Sequence, residues 1–391
     1  MTKSLALLLL AAAACGDNNQ LPDAAVADSS IDAGPALPRA IVVAGDFVPG
    51  HPGVMSEVDI TSHTIKTNVA PSGAIGEDPV LRKYGNELFV VNRASGNNVT
   101  ILDADTYALV AQLGTGAGSN PQDVAIIGDK LFVATLGNKG GVVLSRTSTA
   151  VTVIDLSADD PDGKPNCSSV YFAFNQLFFA CGLLDDTNVN LPPRGPGKIY
   201  VVNPSTLTVT QAITMATKNP IALLEEIPAG APHGNELLIP TIDFGTGMGC
   251  VERITTSGSL GSAGCVVDDS ALGGFAFASR LAFFAPPFTG TVAPIVPTPL
   301  LYLAVSDYPK GTARNLDLST NTLLPTAVTP MTQVVSDLAV CTNGTIVVAD
   351  NPPPPSTAQN GVRIYDGLIE KTTAPLAVGL KPASSHGIVC Y

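Results

Sequence analysis

The sequence predicts an all-β protein, a single β-propeller of seven four-stranded blades whose ring is closed by the C-terminal strand. Three observations support this prediction: a weak phrase that recurs along the chain, the near absence of helical periodicity, and complementary strand patterns at the two ends. Short strands joined by Gly/Asn turns and recurring every 40 to 50 residues or so are typical of propeller blades. Six and eight blades remain as alternative counts.

The clearest copy of the phrase is residues 88–92 followed by residues 98–103. Four of the six intervals between copies are 43 to 48 residues long, which fits one four-stranded blade with its turns. The two longer intervals, of 60 and 64 residues, predict inserted loops, and Pro-rich residues 292–299 mark one of them. The copies begin near Ala40, Leu88, Leu131, Leu177, Leu237, Leu301 and Thr345.

Blade three shows how the strands are predicted. Residues 122–127 are its first strand, and Gly128-Asp129 is a favoured hairpin turn. Residues 130–135 are the second strand, an apolar run that fits burial on both faces between neighbouring blades. Residues 151–156 are predicted as the third strand, and polar residues 108–113 of the preceding blade represent a fourth. No stretch has a convincing 3.6-residue apolar repeat, so we expect little helix.

The two ends of the chain complement each other. The first phrase, at residues 40–43, has no preceding first strand, whereas residues 381–390 resemble a first strand with nothing after it. We therefore expect the C-terminal strand to complete blade one and close the ring, which removes exposed sheet edges.

Residues 1–14 are predicted to be a lipoprotein signal peptide. Lys3 precedes an apolar stretch, residues 5–14, which is too short to span a bilayer and fits a signal-peptide core. The stretch leads into Ala12-Ala13-Ala14-Cys15-Gly16, which resembles the bacterial lipobox, although Ala12 stands where Leu is usual. Cys15 is the predicted lipidation site. An ordinary secretory signal cleaved nearby is the alternative.

Residues 15–38 are predicted to be the lipidated Cys and a disordered tether, and residues 39–391 the propeller. The tether is rich in Ala, Asp, Asn, Ser and Pro and lacks aromatic residues, so it cannot bury enough surface to fold. This arrangement predicts a bacterial cell-envelope protein, periplasmic or surface-exposed, whose lipid anchor makes the membrane a partner.

Composition excludes several classes of protein. Hydrophobic residues make up 45% and charged residues 14%, which is too apolar for a disordered chain. The absence of Trp excludes tryptophan-dependent repeats such as the WD type. A net charge of -13 without a long Lys/Arg cluster argues against nucleic acid as a partner. We expect a monomer.

Six cysteines remain after Cys15, and an even number in an exported protein predicts disulfides. Free buried thiols and a metal site are the alternatives, but the spacings do not resemble those of metal ligands. Fifteen pairings are open on the sequence alone. Spacing favours Cys167 with Cys181 and Cys250 with Cys265, each within one blade. Cys341 with Cys390 is then the remaining long-range pair, which would cross the ring seam.

A family resemblance rests on Phe89-Val90-Val91-Asn92, on residues 98–103 and on the Pro-x-x-Val-Ala pattern that begins at Pro121. These segments are similar to the YVTN-type repeat of bacterial surface and periplasmic β-propellers. The likeness covers residues 78–157 well, residues 333–391 fairly and the middle of the chain poorly. It implies a propeller fold and a cell-envelope location, but no single activity.

Familiar catalytic motifs are missing from the sequence: there is no Gly-x-Ser-x-Gly, His-Glu-x-x-His or Gly-Lys-Ser/Thr. Gly-rich residues 114–118 and 245–249 are interpreted as turns, because a phosphate loop needs a following helix N-terminus. Acidic residues 159–163 are interpreted as a solvated turn rather than a calcium loop. No pair among the four histidines has metal-ligand spacing: His51, His63, His233 and His386.

One candidate site is created by the repeat itself, at the mouth of the central channel. Ends of second strands and starts of first strands share one face of a propeller, and carboxylate and amide oxygens there suit a hard cation or a cationic ligand. The alternative is structural, because Asp and Asn at strand ends bond turn backbones, as we expect for Asp103 and Asp155. The candidates are Asp46, Asn92, Asp123, Asp243, Asp307, Asp337, Asp350 and His386, with Asp337 and His386 as a charged pair on neighbouring blades.

Two functions follow from these observations. The favoured one is a lipid-anchored envelope propeller that acts as a binding or scaffold module for an envelope protein or a small ligand, without catalysis or a cofactor. The alternative is a calcium-dependent hydrolase resembling the propeller lactonases, with its site in the central channel. A quinone- or haem-dependent oxidoreductase is disfavoured, because the chain has no Trp and no Cys-x-x-Cys-His.

Overall fold

The computed structural model describes residues 38–391 apart from 244, 257, 273–276, 285–299, 308–309, 332–333, 353–357 and 368. The described residues form seven four-stranded antiparallel sheets, which are the blades of a β-propeller. Helix in the described residues is limited to α1 (Asp269–Leu272) and a 3-10 turn at Ser157–Asp159. The predicted fold class and blade count are confirmed. The Pro-rich residues 292–299 lie outside the described residues.

The innermost strands of the blades line the central channel, and each pairs with a second strand that is buried between neighbouring blades. In blades two to seven the innermost strands are β4 (Pro79–Tyr84), β8 (Pro121–Ile127), β12 (Cys167–Ala173), β16 (Glu225–Glu226), β20 (Phe277–Phe284) and β24 (Val334–Val340). The second strands are β1 (Arg39–Ala44), β5 (Glu87–Asn92), β9 (Lys130–Thr135), β13 (Gln176–Cys181), β17 (Leu237–Asp243), β21 (Leu300–Asp307) and β25 (Thr345–Asn351).

The third and fourth strands extend each blade toward its outer edge. The third strands are β2 (Val54–Asp59), β6 (Asn98–Asp103), β10 (Gly140–Ser145), β14 (Lys198–Val202), β18 (Met248–Thr255), β22 (Lys310–Asp317) and β26 (Gly361–Asp366). The fourth strands are β3 (Ile65–Lys66), β7 (Leu109–Gly114), β11 (Ser148–Asp155), β15 (Val209–Thr214), β19 (Gly261–Asp268), β23 (Thr322–Met331) and β27 (Ile369–Glu370).

The hydrophobic core lies between blades, which explains the repeated apolar phrase. Phe89 and Val91 of β5 pack in one hydrophobic cluster with Leu131 and Val133 of β9, and all four side chains are fully buried. A strand in this position needs apolar residues on both faces, so it shows a continuous apolar run rather than alternation. All seven predicted second strands are confirmed for this reason.

The C-terminal strand closes the ring as predicted. Strand β28 (Ile388–Cys390) pairs antiparallel with β1 and becomes the innermost strand of blade one, with Val42 opposite Ile388 and Ala40 opposite Cys390. A disulfide joins Cys390 to Cys341, which directly follows the innermost strand of blade seven. The seam between the first and last blades is therefore covalently bonded.

The other two predicted disulfides are also present, so all three predicted pairs are confirmed. Cys167–Cys181 links the first two strands of blade four, and Cys250–Cys265 links the third and fourth strands of blade five. Disulfides are typical of proteins outside the reducing cytoplasm. Among the described residues, no helix has the length and apolarity needed to cross a bilayer.

The predicted third strand of blade three is wrong. Residues 151–156 overlap the fourth strand, β11, whereas the third strand is β10 (Gly140–Ser145). Val151 and Val153 are 39% and 49% exposed, and Thr152 between them is exposed as well, so this stretch is solvated on both faces, as fits the outer strand of a blade. The apolar β10 is buried instead, and its two glycines let neighbouring groups approach, with Phe179 packed close to Gly141.

Candidate functional site

Seven polar side chains, one from each blade, meet around the central channel. Each lies on an innermost strand except the member from blade one, which precedes β28 by two residues. We call this set the channel ring: Arg82, Asp123, Ser169, Glu225, Arg280, Asp337 and His386.

Irregular strand pairing places four members of the channel ring. The register between the first and second strands shifts just before Asp123, Ser169 and Arg280, and within the segment that contains Asp337. A β-bulge of this kind adds one unpaired residue and re-aims the next side chain. The bulges thus direct polar groups toward the channel from strands that are otherwise apolar.

The side of the channel ring formed by blades two to four is tightly paired. Arg82 donates two hydrogen bonds to Asp123, Nε to Oδ1 at 2.9 Å and Nη2 to Oδ2 at 3.1 Å. Asp123 also accepts from Ser169 Oγ (2.7 Å) and from the backbone N–H of Val170 (3.0 Å) on the next blade. Burial alone would lower the pKa of Arg82, but the carboxylates of Asp123 and Glu225 hold it well above its usual value. We call Arg82, Asp123 and Ser169 the closed triad.

The side formed by blades six, seven and one repeats this arrangement more loosely. Arg280 Nη1 lies 3.8 Å from Asp337 Oδ1, and this nitrogen has no hydrogen-bond partner among the described residues. Asp337 accepts instead from the backbone N–H groups of His386 (3.1 Å) and Ile388 (2.8 Å) on the next blade. We call Arg280, Asp337 and His386 the open triad.

Charges in the open triad are less well compensated than in the closed triad. Burial lowers the pKa of Arg280, although the carboxylates of Asp337 and Glu225 oppose that shift. Burial also raises the pKa of Asp337 to about 6, against the opposing effect of Arg280. The two ionised forms therefore gain less from each other than they lose by leaving water.

Glu225 of blade five bridges the two triads. Its Oε1 accepts from Arg82 Nη1 at 3.2 Å and lies 2.8 Å from His386 Nε2. Burial raises the pKa of Glu225, and burial together with Arg280 and Arg82 holds the pKa of His386 well below its usual range. The imidazole is therefore neutral at pH 7, and a single proton lies between its Nε2 and Glu225 Oε1.

A cavity of about 500 Å³ lies against the channel ring, along the second halves of the innermost strands. This volume falls in the range of small-molecule sites. Its tyrosine hydroxyls are held in place: Tyr84 donates to Val124 O (2.8 Å) and Tyr171 donates to Glu226 Oε2 (3.1 Å). Residues lining it include Arg82, Lys83, Tyr84, Tyr171, Glu225, Glu226, Arg280, His386 and Tyr391.

Three of the eight predicted site residues belong to the channel ring: Asp123, Asp337 and His386. They do not form the predicted charged pair, because the His386 side chain contacts Glu225 while its backbone N–H bonds Asp337. Among the described residues, no group of three His, Cys, Asp or Glu side chains is arranged to hold a metal ion.

Two other predicted residues bond within their own surroundings. Asp46 accepts from Val48 N at 3.0 Å and pairs with His51, and Asp243 pairs with Lys218 at 3.0 Å. These contacts fit the alternative in which strand-end carboxylates bond turns and nearby cations.

The remaining predicted residues follow the same pattern or cannot be described. Asn92 is buried and accepts from Gly76 N at 2.8 Å, and Asp350 pairs with Arg363 of its own blade. Asp307 ends β21, and its side chain lies outside the described residues. Asp103 and Asp155 accept backbone N–H groups of their turns, as expected.

The Gly-rich and acidic segments are turns in the structure. Residues 114–118 connect β7 to β8, and Asp243 accepts from Gly245 N (3.0 Å) in the turn between β17 and β18. In the acidic segment, Asp162 pairs with Arg194 at 2.8 Å, so a cationic side chain already neutralises part of it. Asp160 is buried rather than solvated, and burial raises its pKa to about 6.

Sequence reasoning missed Arg82, Ser169, Glu225 and Arg280, because the innermost strands that carry them were not aligned with those of Asp123 and Asp337. The sequence contains a signal for some of them, a four-residue pattern that occurs in three innermost strands. It consists of a charged residue, an aliphatic residue, Ala and an apolar residue in that order. The three copies begin at Asp123, Arg280 and Asp337. Aligning them would have placed an arginine beside the carboxylates.

Comparison with known proteins shows the fold alone. No protein-family model matches the chain, and no curated protein sequence matches it. A Bacteroides fragilis structure provisionally named a 6-phosphogluconolactonase is similar with a TM-score of 0.59 and 14% identity, over 91% of this chain and 98% of that one. A Bacteroides uniformis structure of the same provisional name has a TM-score of 0.56 and 14% identity, over 90% and 99%. The Cps50 (Swd1) β-propeller domain of Myceliophteria thermophila has a TM-score of 0.53 and 11% identity, over 79% and 90%.

Proposed function

We propose that this chain is a lipid-anchored β-propeller of the bacterial cell envelope that binds a small ligand in its central cavity without chemical turnover. The cavity against the channel ring is the observation on which the proposal depends. Its wall combines fixed tyrosines with charged side chains of both signs, a composition that suits recognition of a polar ligand. The YVTN-type repeat and the disulfides support the envelope location.

Blocking the cavity tests ligand binding. Val340 is partly exposed and lines the cavity, so the larger side chain of Val340→Trp should obstruct it. We expect a panel of polar metabolites to contain compounds that raise the melting temperature of the wild type but not of Val340→Trp. The matched control is Val209→Trp on the outer strand β15, where Val209 is 40% exposed. Ligand shifts that persist in Val340→Trp would reject the cavity as the site.

The anchor is tested by Cys15→Ala, with Ser29→Ala in the tether as the control. We expect Cys15→Ala to move the protein from the membrane fraction to the soluble fraction and to abolish labelling by a fatty-acid probe, whereas Ser29→Ala changes neither. Membrane retention of Cys15→Ala without label would show that another element anchors the protein.

The second candidate function is a lactonase-like hydrolase in the same cavity. The close contact of Glu225 with His386, 2.8 Å, favours it because a carboxyl and a neutral imidazole can exchange a proton. The channel ring does not fit calcium as it stands, because Arg82 and Arg280 place guanidinium groups beside its carboxylates. The fold similarity to the two Bacteroides structures is compatible with either function.

Turnover separates the two candidates. Metal content, melting temperature with and without chelator, and hydrolysis of lactone and phosphoester substrates should be measured on the mature protein. Hydrolysis that His386→Ala abolishes and Asp243→Ala retains would establish the hydrolase. A calcium-binding site in the ring would additionally require a chelator-sensitive melting temperature that Asp337→Ala removes.

A further inference from the structure

The two arginines of the channel ring differ in how many hydrogen bonds their N–H groups donate. Arg82 donates three hydrogen bonds to the carboxylates of Asp123 and Glu225. Among the described residues, Arg280 donates one, from Nε to Leu281 O at 3.1 Å. Both side chains are 11% exposed, so partners rather than burial distinguish them. A guanidinium offers five N–H donors in a fork that matches a carboxylate, so Arg280 has donors left for a ligand.

The adjacent blade offers a complementary acceptor, Glu226. It lines the same cavity as Arg280 and accepts one hydrogen bond, from Tyr171. No ion pair reaches Glu226 from the part of the chain that the structure describes. An ionised carboxylate has about four acceptor positions. Glu226 can therefore accept further hydrogen bonds from a cationic group.

The balance of charge decides between classes of ligand. With ionised carboxyls and a neutral His386, the channel ring has one net negative charge. A simple anion would be repelled by that charge, and a phosphate more strongly. A cation alone would lie beside Arg82 and Arg280. A zwitterion brings one charge of each sign and leaves the balance unchanged.

We propose that the cavity binds a zwitterionic amino acid or a short peptide, with its carboxylate on Arg280 and its ammonium group on Glu226. This inference rests on the proposed function, since it names the ligand class of the same cavity. The volume of about 500 Å³ leaves room for a side chain beside Tyr84, Tyr171 and Tyr391.

Three related compounds test the two charged contacts by calorimetry on the mature protein. L-Phenylalanine has both charges, L-phenylalanine amide lacks the carboxylate, and N-acetyl-L-phenylalanine lacks the ammonium group. We expect L-phenylalanine to bind at least about tenfold more tightly than either analogue, because each lost contact is a charge-assisted hydrogen bond. The dipeptide Ala-Phe distinguishes the sources: tighter binding of Ala-Phe identifies a peptide, and tighter binding of L-phenylalanine identifies a free amino acid.

Matched variants assign each contact to its residue. Arg280→Gln should abolish only the preference for L-phenylalanine over L-phenylalanine amide. Glu226→Gln should abolish only the preference for L-phenylalanine over N-acetyl-L-phenylalanine. Arg146→Lys is the control: it weakens the two hydrogen bonds that Arg146 donates to Glu87, away from the cavity lining, and keeps both preferences. Glu226 is partly exposed and outside both triads, so Glu226→Gln tests the proposal even if Arg280→Gln does not fold.

Equal affinities for the three phenylalanine compounds would overturn the inference and leave cavity binding intact. Binding of other panel compounds, but of none of these or of Ala-Phe, would do the same. If no compound binds the wild type more tightly than it binds Val340→Trp, the proposed function is overturned as well.

Discussion

The closed and open triads contain the same kinds of contact at positions four blades apart, yet they differ in tightness. In the closed triad Arg82 and Asp123 are joined by two hydrogen bonds of 2.9 and 3.1 Å. In the open triad the nearest contact of Arg280 with Asp337 is 3.8 Å. In both, an aspartate accepts backbone N–H groups from the innermost strand of the next blade. The repeat therefore reproduces the hydrogen bond between the aspartate and the backbone of the next blade, but not the close hydrogen-bonded ion pair with the arginine.

The difference shows two ways to hold innermost strands together. Blades two to four depend on side chains, because Ser169 also accepts from Leu224 N (2.8 Å) and extends the bonding to blade five. Blades seven and one depend on the Cys341–Cys390 disulfide, since β28 has only three residues. A covalent bond at the seam lets the open triad keep an incompletely paired arginine beside the cavity.

The largest expected effect comes from removing the arginine of the closed triad. Arg82→Met should lower the free energy of unfolding by about 3–5 kcal/mol, because it leaves Asp123 buried without its counter-charge. The matched change Arg280→Met should cost less than half as much, because its ion pair is longer. Chemical denaturation measures both, and equal losses would show that the two triads do not differ in stability.

Breaking the seam disulfide should have the next largest effect. Replacing Cys341 and Cys390 by Ser should lower the free energy of unfolding by roughly 3–4 kcal/mol, from the entropy of closing a loop with a sequence separation of 49. The comparison variant removes Cys250–Cys265, whose separation is 15, and should cost somewhat less. Differential scanning calorimetry of the oxidised proteins provides the test. A smaller loss at the seam would mean that strand pairing alone closes the ring.

The smallest expected effect is a pH dependence specific to the open triad. The pKa of Asp337 is raised to about 6 from an ordinary value of 3.8, so the folded state binds its proton more tightly than the unfolded state. This contribution to stability is present below pH 4 and is lost as the pH rises through 6. Between pH 4 and pH 7, the wild type should therefore lose roughly 2–3 kcal/mol relative to Asp337→Asn.

An opposite trend should appear for a carboxylate on the outer surface. Lys139 and Ser157 lower the pKa of Asp155 to about 2, so its contribution is present above pH 4 and lost as the pH falls toward 2. Urea unfolding between pH 2.5 and pH 7 should show opposite pH trends for Asp155→Asn and Asp337→Asn. Parallel trends would contradict the loose pairing of the open triad.

The fold was largely predictable because strands buried on both faces leave a strong local pattern. Residues 130–135 were predicted with their observed bounds, and the C-terminal strand was found from what the first blade lacked. The third strand of blade three was missed because the outer β11 has an alternation that resembles a half-buried strand. The order of apolar and polar residues along a strand indicates how buried the strand is, but it does not show which of two neighbouring strands is the outer one.

The candidate site was only partly predictable. Asp123, Asp337 and His386 could be placed near the channel from their repeat positions, and the pattern shared by Asp123, Arg280 and Asp337 would have added Arg280. Arg82 lacks that pattern, and its position depends on strand register.

The sequence by itself determined the repeat, the seven buried second strands, the closing strand and a pairing of cysteines that the structure confirms. These features follow from burial and spacing along the chain, which act locally. Only the tertiary structure decided that Arg82 pairs closely and Arg280 does not, and that a cavity lies beside them. Such contacts join residues from different blades, up to 161 positions apart for Glu225 and His386. Their geometry arises only when the ring closes, because separations near 3 Å depend on how whole blades pack.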